Sequence, residues 1–210
     1  MITSTSKRRI LVAIVGILAA CLFALGFTTA LGVASPASGD PEFNQIREKA
    51  RSGKDLSLRE LKILADPYRS PFYANVSVAE KDLVVRHINN PDAFQLTISV
   101  NPDTAMAESV TATPRIESRS AKLNNPCKTG DTCLFSGKTP YADWGISRLG
   151  TTRGYWEYRV GVYSGNYWVS DICWAGGCLV DALAPGASFN WNGKLVTMHS
   201  IRLFDRPVNL

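Results

Sequence analysis

The sequence predicts a mainly β domain at its C-terminal end, preceded by a small α-helical region and an apolar N-terminal segment. Three observations carry this. Two cysteine pairs each close a short loop, Cys127-Lys-Thr-Gly-Asp-Thr-Cys133 and Cys173-Trp-Ala-Gly-Gly-Cys178. Short aromatic and β-branched runs, punctuated by glycine, fill the same stretch, and all five tryptophans fall within it. About six short strands in so small a region indicate an antiparallel sandwich or small barrel. At that size a hydrophobic core alone is marginal, so local disulfide staples would add stability.

The elements follow in chain order. Lys7-Arg8-Arg9 precedes an apolar run from Ile10 to Val33 and then small residues from Ala34 to Asp40. This is the layout of a secretory signal cleaved after Ala34 or Ala37, so residues 1–37 are expected to direct export. Two alternatives remain. The run is long enough for an uncleaved membrane anchor, and Leu18-Ala-Ala-Cys21 has the form of a lipobox, with lipid on Cys21. Without Lys7, Arg8 and Arg9 the formal charge of +5 falls to +2, too little for a nucleic-acid partner. A membrane partner follows only if the N-terminal segment is retained.

Residues 38–92 read as helical. Asp40-Pro41-Glu42 opens a helix carrying Phe43, Ile46 and Ala50. Ser57-Leu-Arg-Glu60 and Ser77-Val-Ala-Glu80 are capping boxes that open two more. Few large apolar residues are available, so this region is expected to be a spacer or accessory unit. Residues 93–123 comprise one alternating strand (Phe94, Leu96, Ile98, Val100) and then a Ser/Thr/Pro-rich linker. Residues 124–210 form the stapled β domain. Its expected strands are Thr132 to Ser136, Gly154 to Tyr163, Tyr167 to Trp174, Cys178 to Leu183, and the runs flanking Asn192-Gly193. Asn192-Gly193 and Ser164-Gly165-Asn166 signal hairpins. Loop closure favours local pairing, Cys127 to Cys133 and Cys173 to Cys178, in an oxidising, extracellular setting.

Catalytic patterns are sparse. His87 and His199 fall in different segments, and there is no zinc-binding helix, nucleophile elbow or phosphate loop. The cysteine spacings suit disulfides better than zinc, so neither metal nor cofactor is expected. Asp143, Glu157, Asp171 and Asp181 could in principle supply a glycosidase pair, but the sequence does not fix their separation. The chain is therefore read as a binding protein, not an enzyme. In Gly154-Tyr-Trp-Glu-Tyr-Arg159 and Asn166-Tyr-Trp-Val169, adjacent aromatics point to opposite faces of a strand. Tyr155, Trp156 and Trp168 are thus candidates for an aromatic platform that takes a cell-wall glycan.

The motif Cys127-Lys-Thr-Gly-Asp-Thr-Cys133-Leu-Phe-Ser-Gly137, with Cys173 to Cys178 and Ala184-Pro-Gly-Ala187 after it, resembles the family of the Streptomyces metalloproteinase inhibitor. The resemblance covers the C-terminal domain alone and implies a βγ-crystallin-like Greek-key fold. It also implies an extracellular peptidase as partner. The second loop, Cys173, Trp174, Ala175, Gly176, Gly177 and Cys178, would be the reactive site, with Cys173-Trp174 as the attacked bond. Trp174 stands where that inhibitor has a smaller aliphatic residue, and the βγ-crystallin calcium motif is absent after Asn124-Asn125. The expected mechanism is substrate mimicry by a loop held in its bound shape, which avoids the ordering cost of a free peptide. Trp174 would be the anchor, or else a core residue packed on the Cys173–Cys178 bridge.

Overall fold

Three helices and nine strands make up the computed structural model, which describes residues 39–114, 127–140 and 142–205. The proposed signal, lipobox and anchor lie outside the described residues. The helices form where the caps foretell them. In α1 (Pro41–Arg51) the Asp40 side chain accepts the Phe43 N–H, and Phe43, Ile46 and Ala50 make the buried stripe. Both capping boxes close reciprocally, at Ser57 and Glu60 for α2 (Leu58–Ala65) and at Ser77 and Glu80 for α3 (Val78–Asn89). A single 3-10 turn, Pro71–Tyr73, sits between α2 and α3.

The strands are β1 (Phe94–Asn101), β2 (Met106–Pro114), β3 (Thr132–Ser136), β4 (Trp144–Ile146), β5 (Gly150–Tyr163), β6 (Trp168–Trp174), β7 (Gly177–Leu179), β8 (Ala187–Asn190) and β9 (Val196–Phe204). All belong to one sheet of order β2-β1-β8-β5-β9-β6-β7, with β3 paired to β5 and β4 paired to β3. Residues 106–114, expected to be linker, are instead a strand. Its Ser/Thr-rich composition reflects an edge position whose outer half is exposed. Nor is β1 an isolated strand: it pairs in parallel with β8, Leu96 opposite Ala187 and Ile98 opposite Phe189.

The two expected hairpins are crossovers. Asn192 and Gly193 take the positive φ of a tight turn, and Lys194 N–H bonds the Trp191 carbonyl. Yet the strands they join, β8 and β9, lie on opposite sides of β5. Likewise β9 separates β5 from β6, which Ser164-Gly165-Asn166 joins. Local turn chemistry was right, but the pairing was decided by the 14-residue β5. Its first half takes β9, and its last residues take β8 on one side. Bulges at Tyr158 (φ 59°) and Asp171 (φ 50°) bend β5 and β6, so the sheet curls.

Two cores result. Trp174, Phe189 and Trp191 stack against one another inside the curl, at centroid distances of 4.7–6.1 Å, with Leu96, Ile98, Val162, Ile172 and Met198 around them. Phe72, Tyr73, Val76 and Val84 of the helical region join this core. The second core joins α1 and α2 to the sheet, burying Phe43, Leu61 and Leu64 against Trp168, Val180 and Phe204. The helices are therefore a covering layer that shares its cores with the strands.

Candidate functional site

Both local disulfides are present, with Cα–Cα separations of 5.9 Å for Cys127–Cys133 and 4.1 Å for Cys173–Cys178. The second closes the β6–β7 hairpin, where Cys173 is directly opposite Cys178. Ala175 and Gly176 form its exposed tip. Trp174 is not available as an anchor. It is 4% exposed, its Nε1 donates to the Pro102 carbonyl at 2.9 Å, and its ring packs on Trp191. Gly176 is required here, because a Cβ would meet that same carbonyl oxygen at 2.6 Å. The proposed attacked bond, Cys173-Trp174, lies within β6 with β7 on one side and β9 on the other. Backbone held on both edges cannot enter a peptidase cleft as an extended substrate strand. The reactive-loop geometry expected from the resemblance is therefore corrected: the hairpin tip braces the β1–β2 turn.

The first loop is a brace as well. Lys128 N–H bonds the Asp131 carboxylate, and Asn166 N–H bonds the Gly130 carbonyl. Gly165, at φ 62°, lies so close to the Asp131 carbonyl that no side chain fits. The disulfide loop and the β5–β6 turn thus lock each other.

The expected platform does not assemble. Tyr155 is 70% exposed and sits beside His199, with ring centroids 5.7 Å apart. Trp156 (8% exposed) points into the first core and Trp168 (3%) into the second. The alternation argument holds at Tyr155-Trp156, where one face of β5 is solvated. It fails at Tyr167-Trp168 because helices cover the face that Trp168 occupies. Among the four candidate acids, Asp181 is buried, accepting from Ser70 Oγ and lying 3.7 Å from Arg47 Nε. Burial raises its carboxyl above the usual range, against the pull of Ser70, Arg47 and Arg51. Burial also raises Asp171, opposed by Arg202 and Arg51. Asp143 accepts the Ser136 N–H at 2.8 Å, and Glu157 is exposed on β5. His87 is buried, with Nε2 2.9 Å from the Pro185 carbonyl. No cluster of three metal-ligating side chains occurs among the described residues.

A different surface stands open. Among the described residues, β4 pairs only with β3, and the first half of β5 pairs only with β9. Beside these strands runs a groove of about 470 Å³ lined by Trp144, Ser147, Arg148, Thr151, Thr152 and Arg153, together with Gly145 and Ile146. Trp144 is 51% exposed, an unusual state for the most costly apolar side chain to leave in water. None of the described residues that line the groove is acidic. The sequence by itself assigns Trp144 no role. The signal was the short, glycine-bounded run Gly145-Ile-Ser-Arg-Leu-Gly150 after it, which lacks the alternation of a long strand that would bury the indole. Nothing in the sequence places Arg153 beside it.

The two disulfides fit an oxidising compartment, and no described helix is long and apolar enough to cross a membrane. Comparison with family models, curated proteins and solved structures returns no match.

Proposed function

We propose that the chain is an exported binding protein that docks on a polysaccharide through the β4–β5 groove. The observation that carries this reading is the half-exposed Trp144 indole at the edge of an open groove whose other exposed side chains are hydroxyls and guanidiniums. An aromatic face takes the apolar side of a sugar ring, while neighbouring donors take its hydroxyls. Export rests on the N-terminal pattern together with the disulfides. In this reading the two staples hold the scaffold and make no ligand contact.

Retention of the mature chain on a panel of insoluble and immobilised glycans tests this. Trp144→Ala should weaken retention by about tenfold or more, the scale of a truncated hot-spot aromatic, with an unchanged melting temperature. A folded variant retained as well as the parent would remove Trp144 from the site.

A second reading, inhibition of an extracellular peptidase by a Greek-key domain, is favoured by the resemblance and by the exposed, disulfide-closed tip Ala175-Gly176. It would use that tip as a docking surface, not Cys173-Trp174 as a mimic of substrate. Assaying the same protein against a peptidase panel, beside Ala175→Arg, separates the two. Inhibition abolished by that substitution favours the second reading.

A further inference from the structure

Resting on the polysaccharide reading above, we propose that the β4–β5 groove selects a carboxylated polysaccharide, a polyuronate, over a neutral one. The guanidiniums carry the argument. Most described arginines are already committed: Arg47 to Asp181, Arg51 to Glu48, Arg59 to Glu42, Arg69 to Asp40 and Glu42, and Arg202 to Asp55. Arg159 donates to the Leu134 and Ala142 carbonyls. Arg148 and Arg153 are exposed and form no ion pair with another described residue, although both line one groove.

Two like charges in one cleft repel each other, and here no acid among the described lining residues offsets them. A ligand that supplies the missing negative charge removes this cost. The guanidinium fork matches a planar carboxylate with two parallel hydrogen bonds, a geometry that a hydroxyl cannot reproduce. A polymer bearing a carboxylate on successive rings offers each arginine a partner while one ring lies on Trp144. Ser147, Thr151 and Thr152 supply hydroxyls for the rest of the sugar. An acidic peptide adding a strand to β4 is the competing occupant. β4 offers only the three residues Trp144–Ile146, and Ile146, the other apolar side chain among the described lining residues, is buried. Strand addition needs a longer edge and pockets for alternate side chains.

The mature chain would be titrated with polygalacturonate, with its methyl ester, and with poly-glutamate, at low and at moderate salt. Polygalacturonate should bind about tenfold or more tightly than the ester at low salt, a gap that narrows as salt screens the pair. In Arg148→Gln/Arg153→Gln the two polysaccharides should bind alike, at the affinity the parent has for the ester. Both substitutions are at exposed side chains, so melting should match the parent. Equal binding of ester and acid by the parent overturns the selectivity and leaves the polysaccharide reading intact. Absence of binding to either polysaccharide overturns the choice of a polyuronate, and absence of retention on the whole glycan panel as well overturns both. Poly-glutamate binding as tightly as polygalacturonate overturns the choice of sugar and points to charge alone.

Discussion

At Trp174 the sequence leaves two roles open, an anchor in a peptidase or a core residue on the Cys173–Cys178 bridge. The side chain is a core residue, closing the sheet on itself. Its ring fills the curl beside Phe189 and Trp191, and its indole N–H satisfies the Pro102 carbonyl from the β1–β2 turn. Trp174→Ala should therefore cost about 3–5 kcal/mol of stability, as for other buried tryptophans. Trp174→Phe should cost about 1–3 kcal/mol, chiefly from the unpaired carbonyl. Urea titration of both variants measures this, and a Trp174→Ala protein as stable as the parent would contradict the burial. Asp181 makes a second residue-scale case. Burial raises its carboxyl in the fold, so the native state holds a proton more readily than the unfolded chain does. Its contribution is most favourable below the ordinary carboxyl range and declines as pH rises through the raised value. Asp181→Asn keeps an acceptor for Ser70 and removes the titration. Its urea midpoint should vary less than the parent's between pH 4 and pH 8; an unchanged slope would mean that Arg47 keeps Asp181 charged throughout.

Among the elements, α3 ties the helical layer to the sheet through one carboxylate. Glu80 closes the capping box on Ser77, and its other oxygen accepts the Val110 N–H of β2 at 2.9 Å. That N–H belongs to the edge strand of the sheet, so Glu80 both caps a helix and blunts an edge. Hydrogen bonds from the Ser77 side chain, the Val110 backbone and the Ser77 backbone, in that order, lower its carboxyl. Glu60 is held at about 2, chiefly by the Lys49 ammonium at 2.6 Å. Lowered acids stabilise above their unfolded values and lose that contribution as pH falls through the folded ones. Glu60→Gln/Glu80→Gln should therefore lose less stability than the parent between about pH 4.5 and pH 2. Thermal melts across that range read the difference. Glu80→Ala, which breaks both contacts, should cost about 1–2 kcal/mol at neutral pH.

For the whole molecule, the shared cores decide what can fold. Residues 124–210 alone would lack β1 beside β8 and the α1–α2 cover over Trp168 and Phe204. Expressed by themselves they should bind a hydrophobic dye and melt without a cooperative transition, whereas residues 39–210 should melt as one unit. A sharp, dye-free transition for the short fragment would show that the helical layer is dispensable. The disulfides act on the same scale. Each closes a short loop, and replacing either pair with serine should cost about 2 kcal/mol by loop entropy. The fold should survive each replacement, because β6 stays paired on both sides and β3 stays paired to β4 and β5.

What the sequence determined by itself was local. The three helix starts, the cysteine loops, β3 to the residue and the positive-φ turn at Asn192-Gly193 depend on neighbours a few positions away, and that chemistry is written in order along the chain. Tertiary structure alone decided which strands pair across those turns and that residues 106–114 join the sheet. It also decided which aromatic of each pair meets water. Tyr167-Trp168 and Tyr155-Trp156 have the same pattern, but a helix layer covers one face of β6 and none covers the outer face of β5 there. Burial is set by what packs on a face from a distant part of the chain. The groove that gathers Trp144, Arg148 and Arg153 became visible only when β4 and β5 were placed in the sheet, because an open strand edge is a property of pairing and leaves no mark in the sequence.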